Sequence, residues 1–184
     1  INAFGKMAMA GCGSYSKVEG FAFLPVTCFT MALTTFVSQN LGARQYERAK
    51  KGARFGIICS VIIAELIGII IYAAAPVLIV AFNRDPGVIH YGVMQARIIA
   101  LFYCLLAFSH CIAAVLRGSG HAAVPMVVML CDWCLFRVSY ITVAVRLISD
   151  IRVIFWAYPL TWSISSVIFL YLFLRGKWVY GFEK

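Results

Sequence analysis

The chain has 184 residues, 63% of them hydrophobic and 12% charged, with a formal net charge of +9 and a mean hydropathy of +0.92. A soluble domain of this length cannot bury so much apolar surface, because its surface-to-volume ratio demands more polar residues. In a soluble protein the positive charge would point to nucleic acid, but no basic stripe runs between polar helix faces for a phosphate backbone to follow; it is read instead as belonging to loops that set membrane topology.

Residues 1–17 contain Gly5, Gly11, Gly13 and Ser14 and read as a loop or the tail of an earlier helix. The first residue is Ile, and no basic stretch with a short apolar run and cleavage site follows it, so no signal peptide is expected. The expectation is the C-terminal part of something longer. Five apolar blocks come next, at residues 18–41, 55–82, 98–116, 122–145 and 153–174. Each reaches the roughly 20 residues that an α-helix needs to cross about 30 Å of hydrocarbon. The expected fold class is therefore all-α: a polytopic transmembrane helical bundle of about five spans, with residues 1–184 forming one lobe.

The segments between the blocks set the orientation. Residues 42–54 carry Arg44, Arg48, Lys50, Lys51 and Arg54 against the single acid Glu47, the strongest cytoplasmic signal in the chain. Alternation then puts residues 83–92 outside, 117–121 inside, 146–152 outside and the tail 175–184 inside. Nine Lys/Arg fall inside and five outside, so the C-terminus is expected in the cytoplasm. Trp178 and Tyr180 then mark the inner headgroup level, and Trp156 and Tyr158 the outer one.

Ionisable side chains within spans are costly and mark pathways or braces. In the first block Glu19, Phe23, Thr27, Thr30, Thr34 and Ser38 are spaced three or four apart and share one helix face. That face can line a water-filled cavity with Glu19 as a proton or cation site. Alternatively, the hydroxyls bond their own helix carbonyls and Glu19 sits near the interface. Pro25 frees the Phe21 carbonyl. Glu65 lies in mid-block and either meets a cation or stays protonated. Tyr103, His110 and Arg117 are seven apart and share a face; His110 is either a titrating group or a plain interhelical hydrogen bonder. Asp132 and Arg137 fall about 140° apart on an ideal helix, so each needs a partner on another helix. Arg137 can also stack on Trp133, four residues earlier, and reads as a structural brace. The small residues around Pro159, Thr161, Ser163, Ser165 and Ser166 read as a packing face.

Six of seven cysteines fall inside the blocks, where Cys behaves as a small apolar residue. Cys131 and Cys134 match C-x-x-C but lie in mid-span, so no metal or cofactor is expected. No H-E-x-x-H, G-x-S-x-G or P-loop occurs, and no enzyme is expected.

The order of motifs resembles a known family. Lys17-Val18-Glu19-Gly20-Phe21-Ala22-Phe23-Leu24-Pro25, then Thr34-Thr35-Phe36-Val37-Ser38-Gln39-Asn40-Leu41-Gly42-Ala43, then Arg48-Ala49-Lys50-Lys51-Gly52 resemble the eighth helix and following loop of the multidrug and toxic compound extrusion (MATE) family. Ala75-Pro76-Val77-Leu78 is similar to the end of its ninth helix, Leu116-Arg117-Gly118-Ser119-Gly120 to the loop after its tenth, and Phe136-Arg137-Val138 to its eleventh. The resemblance covers essentially the whole chain. It implies the C-terminal lobe of a two-lobe, twelve-helix transporter in the plasma membrane, without its N-terminal lobe. It also implies export of cationic amphiphilic drugs or toxic metabolites in exchange for Na+ or H+. Gly42, Arg117 and Gly118 become structural positions. Two departures stand out: Arg44 occupies the third position of a common Gly-Ala-Gly, and Leu106 stands where some members carry an ion-binding acid. Glu19 is then the best remaining acid, with Thr27, Thr30, Thr34, His110 and Asp132 around the cavity. The alternatives are a lipid-linked saccharide flippase of the same architecture, which calls for several cavity arginines, and a non-transporting membrane fragment.

Overall fold

The computed structural model describes Ile1 and residues 4–175 and 177–180. Seven α-helices follow in order: α1 (Lys6–Gly42), α2 (Tyr46–Val80), α3 (Pro86–Ile99), α4 (Tyr103–Gly118), α5 (Ala123–Leu130), α6 (Arg137–Leu147) and α7 (Arg152–Leu174). A 3-10 turn, Ala100–Phe102, joins α3 to α4, and a π-helical stretch, Cys131–Phe136, joins α5 to α6. Five rods are therefore long and apolar enough to cross a membrane, and no strand occurs among the described residues. The class is all-α, as expected. The tail beyond Tyr180, and with it part of the segment expected inside, lies outside the described residues.

The rods overlap the five apolar blocks but begin earlier. Residues 6–17 are helix, not loop. Their glycines permit close approach rather than a turn: a Cβ on Gly11 would lie 2.7 Å from the Val88 carbonyl oxygen, so α1 and α3 meet backbone to backbone. The basic segment 42–54 is also mostly helix, because α2 starts at Tyr46. The segment 83–92 is helical from Pro86, where Asp85 acts as N-cap by accepting the Gly87 N–H at 2.8 Å and Pro occupies a first-turn position without an N–H to orphan.

The third rod, α3 with α4, is the hub. Of its most apolar stretch 61% is buried, against 6% in the fourth rod. It packs on α1, α2 and α7, while α6 rests mainly on α7. Its 3-10 break contains neither Pro nor Gly, so the cause lies in its neighbours. Gly68 of α2 abuts the Ala100 carbonyl. One helical turn earlier, Glu65 Oε2 accepts the Cys104 N–H at 3.2 Å. The α2 face thus meets the break at two points: Gly68 leaves room for the Ala100 carbonyl, which accepts the Tyr103 N–H, and Glu65 accepts the Cys104 N–H. Glu65 meets no cation among the described residues; its partner is a backbone amide.

Two helix ends share one geometry. After α4, His121 N–H bonds the Leu116 carbonyl at 2.9 Å and Gly120 N–H the Arg117 carbonyl at 3.1 Å, with Gly120 at φ 84°. After α1, Gln45 N–H bonds the Asn40 carbonyl at 2.8 Å and Arg44 N–H the Leu41 carbonyl at 2.9 Å, with Arg44 at φ 57°. Both are Schellman ends, whose left-handed position suits glycine. This gives a physical reason why the third position of a Gly-Ala-Gly carries glycine. Here Arg44 holds it against a cost of about 1–2 kcal/mol. Arg44→Gly is expected to raise the unfolding midpoint of the detergent-purified protein, and Gly120→Ala to lower it. The two shifts are read together in one thermal-unfolding series.

Candidate functional site

The polar groups of the spans gather where α1, α4, the π-helical stretch and α7 meet. Tyr15 of α1 and Tyr103, the first residue of α4, share a hydrogen bond at 2.8 Å between buried hydroxyls. Glu19, one turn beyond Tyr15, is half-buried, and its charge is felt at Tyr15, Tyr103, Tyr158 and Arg137. The Arg137 guanidinium lies 4.9 Å from the Trp133 ring centroid and 4.5 Å from that of Tyr158, and it donates to the Thr161 hydroxyl. The Arg137–Trp133 stack is the one that their four-residue spacing suggests. Trp133 also touches His110, ring centroids 5.6 Å apart, and His110 meets Phe23 edge-on at 6.3 Å.

Several buried polar atoms in this cluster have no hydrogen-bond partner: both Asp132 carboxylate oxygens, Arg137 Nε, His110 Nε2 and Trp162 Nε1. Asp132 is 4% exposed. The neighbouring Ser165 hydroxyl already donates to the Thr161 carbonyl at 2.9 Å. An unpartnered buried carboxylate is expensive, and native structures keep few such groups. Their concentration in one place is the strongest functional mark in the chain.

The π-helical stretch corrects the geometry of this pair. With hydrogen bonds from i to i+5, residues five apart return near the same side instead of diverging by 140°. Asp132 and Arg137 consequently feel each other's charge. They still form no ion pair, and neither does Glu19: the one ion pair among the described residues is Lys50–Glu47, on the α2 surface at 3.0 Å. Arg137 is held by rings and Thr161, so its charge stays uncompensated by contact.

The hydroxyls of α1 behave differently. Thr27 donates to the Phe23 carbonyl at 3.0 Å, Thr30 to Thr27 at 2.8 Å, Thr34 to Thr30 at 2.8 Å and Ser38 to Thr35 at 3.0 Å. Thr34 also reaches the Ala114 carbonyl at 3.2 Å. Thr30 and Thr34 nevertheless line a cavity of about 320 Å³ with Arg117. That cavity lies three to four helical turns from Glu19, so the shared face holds two separate polar places. Gly118 lets α4 close on α1 there, since a Cβ would come within 2.6 Å of the Thr34 carbonyl oxygen. Gly42 is exposed and a Cβ would meet nothing. Leu106 is buried in the apolar core. No group of three or more His, Cys, Asp or Glu able to hold a metal ion occurs among the described residues.

Sequence reasoning missed Tyr15, because residues 1–17 read as loop. Its place four residues before Glu19 was the available signal. Tyr158 was read as part of an interfacial belt. It instead lies half-buried under Arg137, while Trp156 alone of that pair is exposed.

A helical lobe with five rods long and apolar enough to span and a polar, partly unpaired cluster among them defines a multi-pass membrane protein. The MatE family model matches residues 1–143, and the chain belongs to that family. It is 30% identical over 179 residues to a protein of Thermotoga maritima named probable multidrug resistance protein NorM, covering 95% of this chain and 38% of that one. The probable multidrug resistance protein YoeA of Bacillus subtilis is 25% identical over 71% of this chain and 28% of its own length. An FAD transporter of Shewanella oneidensis is 23% identical over 91% of this chain and 37% of its own. A crystal structure of a MATE protein in complex with MaD3S has the same fold, with TM-score 0.86 at 20% identity over 93% of this chain and 39% of that one. The chain thus spans less than two-fifths of these relatives.

Because Glu65 supplies the partner of the Cys104 N–H, Glu65→Leu is expected to cost about 1–3 kcal/mol by leaving a buried donor unpaired. Glu65→Gln keeps an acceptor oxygen and should cost little. Hydrogen exchange of peptides covering residues 100–106, with the unfolding midpoint, checks both: Leu should speed exchange and Gln should not.

Proposed function

We propose that this chain is the C-terminal lobe of a secondary active antiporter that exports cationic amphiphilic drugs or toxic metabolites in exchange for Na+ or H+. Its expected partners are the substrate, the lipid bilayer and an N-terminal lobe; its expected place is the plasma membrane with the C-terminus in the cytoplasm. The observation that carries this reading is the cluster around Glu19 and Arg137, with a half-buried carboxylate and a guanidinium that interact without pairing. The names of the relatives support drug efflux, and the excess of Lys/Arg in the segments assigned inside supports the orientation.

The chemistry follows from that arrangement. Glu19 is the group that takes up the proton or Na+. When it is charged, the nearby Arg137 stabilises it. When it binds its ion, that attraction is relieved and Arg137 is left to its rings and Thr161. An ion drives a conformational equilibrium only through different affinities for the two states. A carboxylate whose counter-charge sits on a different span meets that condition, because relative movement of α1 against the α5–α6 rod changes their separation. His110 and Asp132 are the secondary titratable members of the same cluster. Thr27, Thr30 and Thr34 offer carbonyl-anchored hydroxyl oxygens along the path. A flippase cavity calls for several basic residues, and Arg137 is the basic residue of this cluster, which supports the cationic-substrate reading over that alternative.

Glu19→Gln keeps size and most hydrogen bonding but fixes the charge at zero. In the complete polypeptide carrying these residues, reconstituted in proteoliposomes under an imposed proton or sodium gradient, it is expected to insert normally and lose most ion-driven efflux. Glu19→Asp should retain part. Efflux by Glu19→Gln at the parent rate, with the parent's ion dependence, would move coupling elsewhere.

A further inference from the structure

Away from the Glu19 cluster, a cavity of about 400 Å³ opens between α3 and α7, lined by His90, Met94, Arg97, Arg152 and Trp156 among others. Its depth in the membrane can be fixed twice. The third rod, Pro86–Gly118, has 33 residues and is therefore about 50 Å long, roughly 20 Å more than the hydrocarbon it crosses. About 20 residues counted back from its far end bring the near interface to Arg97. The fifth rod, Arg152–Leu174, has 23 residues and fits the bilayer in full at about 34 Å, so Arg152 marks the same level. Each arginine immediately precedes an uncharged apolar run. Two guanidinium groups on neighbouring helices thus stand at one interface, at one cavity.

Among the described residues neither guanidinium takes part in an ion pair. The carboxylate nearest in sequence, Asp150, uses Oδ1 to accept the Arg152 backbone N–H at 2.9 Å. Arg97 rests over the Tyr72 ring, its guanidinium carbon 5.8 Å from the centroid. Below the cations the groove turns apolar. Trp156 packs edge-on against Phe102 with centroids 5.8 Å apart, and Leu101 and Leu160 are exposed on the two helices. A cationic rim at the headgroup level over an apolar groove at the acyl level matches one kind of ligand in charge and in polarity.

We infer that this groove is a binding site for an anionic phospholipid, with the phosphate held by Arg97 and Arg152, an imidazole N–H of His90 available to it, and an acyl chain lying along Trp156, Leu101 and Leu160. Guanidinium groups bind phosphate oxygens through paired N–H donors, and basic pockets between membrane helices are suited to acidic headgroups. The site is independent of Glu19 and does not rest on the antiport reading.

The test titrates the complete polypeptide, purified in detergent, with phosphatidylglycerol, phosphatidylcholine or inorganic phosphate, reading bound lipid by native mass spectrometry and the shift of the unfolding midpoint. Phosphatidylglycerol should bind and stabilise, and Arg97→Gln/Arg152→Gln should weaken its binding at least tenfold. Arg84→Gln, which removes the same charge from the neighbouring loop outside the groove, should leave it unchanged. Arg152→Gln alone, at an exposed helix end, gives an intermediate loss and keeps the test open if the double variant does not fold. Equal binding of phosphatidylcholine, equal stabilisation by inorganic phosphate, or an equal loss in Arg84→Gln would each overturn the site: the first by showing no charge selection, the second by showing a soluble-anion site, the third by showing diffuse attraction.

Discussion

The hydrogen bond from the Cys104 N–H to Glu65 is the contact on which the rest of the lobe depends. In hydrocarbon no water can satisfy a freed backbone group, so a helix can break there only where protein supplies the missing partner. The third span is the most enclosed of the five, and its break lies where α2 offers a carboxylate and, one turn on, a glycine. Tyr103 starts the new helix directly beside that bond. Its hydroxyl meets Tyr15 at 2.8 Å, and that pair frames Glu19. A costly carboxylate at mid-span is thus placed in a backbone role, and the geometry of a second carboxylate follows from it.

A second irregularity has the opposite character. The π-helical stretch Cys131–Phe136 turns Asp132 inward and leaves both of its oxygens without partners, where the 3-10 break is closed. π-helical insertions gather at functional sites, and unpartnered buried polar atoms need a reason to persist. The fourth span is also the least buried rod. A span with few internal contacts can shift at lower cost than the hub, and the unpartnered Asp132 and Arg137 atoms lie on that span.

The class and the number of spans were legible because hydropathy in long blocks is a direct consequence of the lipid solvent. The starts of the rods were not legible. Gly11 and Gly13 imitate loop composition, while Gly11 in fact serves a backbone contact with Val88 that only the folded bundle reveals. The aromatic stack of Arg137 on Trp133 could be read from spacing, because both residues lie on one helix. Its other partners, Tyr158 and Thr161, are on α7 and left no local trace. The hydroxyl face of α1 was visible as a pattern, but its hydrogen bonds run to its own carbonyls, a choice that spacing alone leaves open. Both backbone breaks were invisible, since neither contains Pro or Gly, and the 3-10 break meets its contacts on another helix. Glu65 was noticed only as an anomaly for the same reason.

The arrangement of charges fits a lobe that must move without unfolding. Arg137 is anchored by dispersion and quadrupole contacts to two rings, which tolerate sliding better than a bidentate ion pair would. A tight Glu19–Arg137 bridge in a low-dielectric interior would be expensive to break and would lock α1 to the fourth span. Keeping the two within electrostatic reach but out of contact leaves their attraction adjustable. The rigid contacts lie elsewhere: Gly118 against Thr34, Gly68 against Ala100 and Gly11 against Val88. Each of these joins α1 or α2 to the third rod, and none involves the fourth or fifth. Glu19 therefore sits on the block of α1, α2 and the third rod, while Arg137 and Asp132 sit on the fourth rod, the least buried of the five, and Thr161 on α7. The site lies on the seam between the first rod and the fourth, where the carboxylate and the guanidinium face each other across separate spans.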